Sequence, residues 1–150
     1  MRILILGDVV GRPARRAMRD ILPELIEREK ADLVIANAEN AAGGMGVDIK
    51  SAKELLSAGM HVLTSGNHIW KKKEIYPFLD EHETLIRPAN FPAGAPGRGW
   101  CFWRHNELRA VIINLQGRVF MPNLVEDPFR CVDGLLQNHG RLAPVIIVDM

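Results

Sequence analysis

The sequence predicts an α/β fold whose sheet is parallel at first and mixed later. Short β-branched apolar runs alternate with stretches of helical periodicity through the first half of the chain, the later runs follow one another in series, and Gly or polar clusters bound nearly every run. Alternation implies parallel strands joined by crossover helices, whereas strands in series pair with their neighbours.

Arg2 to Leu6 reads as a first strand buried on both faces and closed by Gly7. Pro13 suits a helix start, and Ala14, Met18, Ile21, Leu22, Leu25 and Ile26 recur at helical spacing to about Lys30, with a kink or restart expected at Pro23. Asp32 to Ala36 is a second strand. Asp48 can cap a helix running to about Ala58 that buries Ala52, Leu55 and Leu56, and Gly59 stops it. Met60 to Leu63 is a third strand, and Lys71 to about Leu79 a short helix interrupted at Pro77. Strand candidates then follow at Thr84 to Ile86, Trp100 to Trp103 and Arg109 to Asn114, with the Pro/Gly-rich stretch from Arg87 to Gly99 among them. A last helix near Asp127 to Gln137 precedes a closing buried strand within Pro144 to Met150.

Composition excludes several classes. With 150 residues, 47% hydrophobic and 25% charged, the chain can bury one sizeable core, and it is neither disordered nor of low complexity. The 19 Lys and Arg against 18 Asp and Glu leave a formal charge of +1, so no global field favours nucleic acid or a membrane surface. No apolar run approaches the roughly 18 residues of a membrane helix, and no signal-peptide pattern follows Met1, which together predict a cytoplasmic protein. Cys101 and Cys131 are too few and too far apart for a disulfide framework or a metal knuckle, and are expected to be reduced and structural.

The strand ends carry the chemistry. The first ends in Gly7-Asp8, the second in Asn37-Ala38-Glu39-Asn40 and the third in Thr64-Ser65-Gly66-Asn67-His68. The carboxyl ends of parallel neighbours lie side by side, so Asp8, Glu39, Asn40, Asn67 and His68 converge in one crevice. Asp and Asn also cap helices and turns, but three strands ending this way together point to a shared site. Two close carboxylates repel unless a cation lies between them, and oxygen donors of this kind suit Mn, Mg or Fe. A dinucleotide site fails on spacing, because Gly7-Asp8-Val9-Val10-Gly11 is not G-x-G-x-x-G.

The stretches Ile3-Leu4-Ile5-Leu6-Gly7-Asp8-Val9-Val10-Gly11, Asn37-Ala38-Glu39-Asn40-Ala41-Ala42-Gly43-Gly44, Thr64-Ser65-Gly66-Asn67-His68-Ile69-Trp70 and Arg87-Pro88-Ala89-Asn90-Phe91-Pro92 resemble the calcineurin-like metallophosphoesterases and, within them, the bacterial YmdB-like branch. The resemblance covers essentially the whole chain. Gly66-Asn67-His68 is shared across the superfamily, whereas Asn-Ala-Glu-Asn joined to Thr-Ser-Gly-Asn-His is more specific to the branch. Val10 stands where the superfamily's first motif usually has His, and Glu39 where it has a bridging Asp; both departures match the branch.

The resemblance implies a metallophosphatase-type α/β sandwich with mixed sheets, incomplete at the C-terminus, with residues 1–150 as the N-terminal part of one metallophosphoesterase domain. It implies two divalent metal ions, Fe or Mn with Mg a further candidate: Asp8 and Asn40 on one, Glu39 bridging and Asn67 on the second, with His68 as catalytic acid. The implied substrate is a small phosphodiester such as a 2′,3′-cyclic nucleotide, attacked in line by a metal-activated water. The family's three later histidine ligands, one after an apolar strand ending in Asp and two in a Gly-Thr-His-Thr-His element, have no match in His61, His82, His105 or His139. This chain is therefore expected to turn over weakly or not at all. The competing expectation is a non-catalytic binding or assembly module that covers an unfinished sheet with a partner or forms a homo-oligomer.

Other residues carry weaker signals. Lys71 to Lys73 read as a solvated face, and Arg12, Arg15, Arg16 and Arg19 are expected to spread around their helix without forming a nucleic-acid patch. Trp103 is expected in the core, and Trp70 is left open between packing and base stacking. Residues 87–99 and 117–122 could lie over the crevice, with Arg118 as a weak candidate for a phosphate contact. Because three histidine ligands have no counterpart, elemental analysis of the purified chain is expected to find little tightly bound metal; about two Fe or Mn ions per chain would overturn this.

Overall fold

The computed structural model describes residues 1–122 and 124–150. Two three-stranded sheets pack face to face. In the first, β1 (Ile3–Asp8), β2 (Leu33–Asn37) and β3 (Val62–Thr64) run parallel in that order. In the second, β4 (Trp100–His105) pairs antiparallel with β5 (Leu108–Asn114), and β6 (Val145–Asp149) joins β5 in parallel. The sheets are thus parallel early and mixed later, as the element order predicts.

Alternation along the strands separates the layers. On β2, Val34 and Ala36 face α1 (Gly11–Glu29) and α2 (Ile49–Ser57), packing with Leu22, Ala52 and Leu55. Leu33 and Ile35 face the other way, onto Cys101, Trp103, Ala110 and Ile112 of the second sheet. Beyond that sheet, Val111 and Ile113 pack with Leu135 and Leu136 of a further helix, Pro128–His139. A four-layer helix–sheet–sheet–helix sandwich results, with Trp103 in the core as expected. Both cysteines are free, and burial pushes the Cys101 thiol up to about 12. Among the described residues no helix is long and apolar enough to cross a membrane.

Several local expectations are corrected. The first helix does not break at Pro23 but runs through it. Pro23 and Arg19, whose carbonyl the proline cannot serve, both lie on the exposed side, where water can replace the missing bond. Pro77 starts a helix, α3 (Tyr76–Glu81), rather than interrupting one, and 3-10 turns at Asn67–Lys71 and Lys73–Ile75 precede it. The helix Pro128–His139 is then α4. Thr84 to Ile86 is not a full strand; Leu85 makes a single parallel bridge to Leu63. β1 and β6 are edge strands left partly uncovered, so neither is buried on both faces as expected: Ile5 is 59% exposed and Val148 46%. His105 ends β4, and His139 ends α4, stacked on Trp100.

Buried amides tie the two sheets together near the strand ends. Asn114 at the end of β5 donates to the carbonyls of Ser65 at 2.7 Å and Ile86 at 3.1 Å. Asn90 donates to the carbonyls of Gln116 at 2.8 Å and Glu126 at 3.0 Å, and accepts the Gln116 amide at 2.9 Å. Both side chains are fully enclosed, where each bond prevents the larger cost of an unpaired buried polar group.

His61, just before β3, accepts the Val34 N–H on Nδ1 at 2.9 Å. Burial, reinforced by His105, holds its pKa below the ordinary histidine value. Folding therefore favours the neutral ring, and its contribution is present above about pH 6.5 and lost as pH falls through the lowered folded value. Urea midpoints measured from pH 7 to 5 are expected to fall more steeply for the parent chain than for His61→Phe; equal slopes would refute the assignment.

Candidate functional site

Strand register builds the site. Asp8 pairs with Asn37 and Asn37 with Thr64, so the three parallel strands end at one level. A bulge between Leu6 and Asp8 brings the carboxylate into that register. The loops beyond are stitched by backbone bonds: Val9 N–H to Asn37 C=O, Ala38 N–H to Thr64 C=O and Gly11 N–H to Asn40 C=O, each 2.9 Å. Gly11 makes its bond at φ +63, a left-handed conformation that glycine adopts without a Cβ penalty.

Asn40 is held at both ends of its amide. Its Nδ2 donates to Asp8 Oδ2 at 2.6 Å, and its Oδ1 lies 2.6 Å from His68 Nδ1. With Nδ1–H donating to that oxygen, the His68 proton sits on Nδ1 and Nε2 keeps its lone pair. Glu39 comes from the same loop, its own N–H donating to Asn37 Oδ1 at 2.9 Å. That Asx-type turn aims the Glu39 carboxylate at the third loop, where Oε2 accepts the His68 backbone N–H at 3.3 Å and lies 3.9 Å from His68 Nδ1. Gly66 makes room for it, since a Cβ there would come within 2.3 Å of Glu39 Oε2.

The structure thus brings Asp8, Glu39, Asn40 and His68 into one hydrogen-bonded set. Asn67 opens the adjoining 3-10 turn, half-buried, and takes no part in those bonds. Arg118 is not brought to them: its guanidinium lies 3.3 Å from Asp127, the capping residue of α4. Trp70 packs edge-on against Tyr76 and Phe91 and its indole N–H is buried, which assigns it to packing. Asn37, which orients Glu39, was not among the sequence candidates; an Asn two residues before the carboxylate is the signal that identifies it.

Among the described residues no three His, Cys, Asp or Glu side chains surround a common point in the manner of a metal site. The cluster offers the oxygens of two carboxylates, Asp8 and Glu39, and of the Asn40 amide, with Asn67 in the adjoining turn, and it is as a hard oxygen-donor set, with the Gly66 cradle admitting the Glu39 carboxylate, that it fits a divalent cation such as Mn, Mg or Fe.

The family model for YmdB-like proteins matches residues 4–150. The chain belongs to the YmdB-like family. It is 44% identical to the 2′,3′-cyclic-nucleotide 2′-phosphodiesterase of Bacillus subtilis, over 99% of this chain and 56% of that protein. Among crystal structures, a hypothetical protein from Thermus thermophilus superposes with a TM-score of 0.91 at 40% identity, covering 99% of this chain and 56% of that one. A novel phosphatase from Mycoplasma pneumoniae superposes with a TM-score of 0.88 at 32% identity, covering 97% and 53%. The fold is of the metallophosphatase type, and the chain spans about half the length of these relatives.

Gly66→Ala tests the cradle. The atoms a methyl would meet are the carboxylate end of a flexible side chain, so the substitution is expected to lower stability by about 1 kcal/mol, on the order of the lost Glu39 to His68 hydrogen bond, while displacing the carboxylate. The His68 backbone amide should then shift in a ¹⁵N–¹H spectrum as it loses its acceptor; an unmoved His68 resonance would contradict the arrangement.

Proposed function

We propose that residues 1–150 are the N-terminal part of a metallophosphoesterase domain that hydrolyses a phosphodiester such as a 2′,3′-cyclic nucleotide. The observation that carries this is the chain Asp8–Asn40–His68, with two 2.6 Å contacts joining a carboxylate, an amide and an imidazole at the ends of three parallel strands. The name and 44% identity of the Bacillus subtilis relative support the substrate class.

In this reading Asp8 and Asn40 would hold one divalent ion and Asn67 a second, with Glu39 shared between them, and Fe or Mn would be the metals. When bound, such ions supply positive charge that polarises the phosphoryl oxygens and lowers the pKa of the attacking water. For Asn40 to offer its oxygen beside Asp8, its amide must turn half a revolution about χ2, since the NH₂ faces Asp8 in the hydrogen-bonded arrangement. To act as the acid, His68 must carry protons on both nitrogens, its Nδ1–H swung from the Asn40 NH₂ toward Glu39 Oε2, so that giving the Nε2 proton to the departing ribose oxygen leaves a neutral ring. Glu39, with Oε2 3.9 Å from His68 Nδ1, limits how far the ring can swing as it does so. Two carboxylates and two amides are a sparse donor set, consistent with weak turnover by this chain.

A second reading, an assembly module, is favoured by the exposed Ile5, Ile146 and Val148 along the edge strands β1 and β6. Incubation with 2′,3′-cyclic AMP and Mn²⁺ separates the two. Slow hydrolysis that Asp8→Asn reduces at least about tenfold is expected, in line with the loss of a transition-state interaction. Equal rates in the parent and the variant would sink the phosphodiesterase reading, and a stable oligomer with no hydrolysis would carry the module.

A further inference from the structure

On the outer helical face α1 and α2 leave between them an open groove of about 1100 Å³. Arg12, Arg15, Arg16 and Arg19 line it from α1, and Lys50 and Lys53 from α2. The expectation that these arginines spread around the helix is corrected: their spacing puts them on one side, against α2. Six of the chain's 19 Lys and Arg thus line the groove with one of its 18 Asp and Glu, Glu54, in a molecule of formal charge +1.

Three of those six cations lie beside a carboxylate and three do not. Glu54 takes Arg15 Nε–H at 2.6 Å, and Asp20 lies 3.1 Å from Arg19 and 3.9 Å from Arg16. Arg12, Lys50 and Lys53 are exposed and form no ion pair among the described residues. Clustered cations on a concave surface attract a polyanion. No aromatic side chain lines the groove, and its apolar contributions are Ile49 and Ala58, so contacts would go to phosphates rather than stacked bases. The groove also adjoins the site: Arg15 Nη1 donates to the carbonyl of Ala41, which follows Asn40, and Gly11, next to Arg12, donates to the Asn40 carbonyl at 2.9 Å.

We propose that this groove seats the phosphate backbone of a single-stranded RNA whose terminal cyclic phosphate lies at the Asp8–Asn40–His68 site. An RNA end, and not only a free cyclic nucleotide, is then the substrate class. The choice of RNA rests on the phosphodiesterase reading above, because a 2′,3′-cyclic phosphate needs both ribose hydroxyls and a polymer ending in one is RNA. From Arg12 to Arg19 the helix rises roughly 10 Å at 1.5 Å per residue. Arg12, Lys50 and Lys53, which form no ion pair among the described residues, offer contacts to about three phosphates.

The test is fluorescence anisotropy of the full chain with 5′-fluorescein-labelled octauridylate. Three phosphate contacts on a single strand imply roughly twentyfold weaker binding on going from 50 to 200 mM salt. The double variant Arg12→Glu/Lys53→Glu, at two exposed positions without an ion pair among the described residues, is expected to bind at least about tenfold more weakly with an unchanged urea midpoint. Unchanged binding in that variant would overturn the assignment, as would equal competition by a poly-glutamate peptide, which would mark a surface for acidic protein. Hydrolysis of 2′,3′-cyclic AMP by the unsubstituted chain is read separately. Hydrolysis that Asp8→Asn leaves unchanged, together with RNA binding lost in the double variant, defeats the phosphodiesterase reading and supports the groove; hydrolysis that Asp8→Asn reduces, with RNA binding unaffected by the double variant, defeats the groove alone.

Discussion

Everything at the candidate site depends on the parallel register of three short strands. Asp8 opposite Asn37, and Asn37 opposite Thr64, end β1, β2 and β3 at one level, and a polar loop leaves each strand there. Because side chains alternate along a strand, a slip of one residue would turn the terminal groups to the opposite face. The 2.6 Å contacts of Asn40 with Asp8 and His68, which lie 32 and 28 residues away in sequence, have no local means of forming. The buried runs of β2 and β3 hold the register, since slipping them would drive Leu33, Ile35 and Val62 from the inter-sheet core into the helix-side core, and Val34, Ala36 and Leu63 the other way, where neither set fits.

The second sheet contributes none of the four hydrogen-bonded side chains, yet it helps to place them. Asn114 grips the Ser65 carbonyl at 2.7 Å, one residue before the glycine that admits Glu39. Packing of Ile112 and Trp103 against Ile35 and Val62 brings β5 close enough for that bond. The apolar interface between the sheets and the polar loops above it are thus one construction. The interface sets the spacing between sheets, and a buried amide transmits it to the third loop.

Much of this was legible in the sequence. Strand-like and helix-like periodicities placed most elements, because burial on one face imposes a repeat of two or of about 3.6 residues. Convergence of Asp8, Glu39, Asn40 and His68 followed from parallel strands ending together. The roles proposed for these residues, and for Asn67, rest on family resemblance, since two carboxylates and two amides do not by themselves specify a reaction. What stayed hidden depends on neighbours distant in sequence. Pro23 is tolerated because it faces water, Ile5 is exposed because β1 lies at a sheet edge, and the arginines form a groove because α2 lies alongside. The need for glycine at position 66 comes from a carboxylate 27 residues earlier in the sequence, not from its backbone angle.

Asn90 has a consequence of a different kind. One side chain binds the main chain at both Gln116 and Glu126, so the segment between them leaves and rejoins the fold at a single clasp. Closing a loop costs only slightly more as it lengthens, and with its ends pinned this one can gain or lose residues without pulling on β5 or α4. Insertions and deletions among related proteins should therefore gather there, leaving the sandwich undisturbed. The clasp makes this stretch a place where evolution can try new surface at little cost to the scaffold.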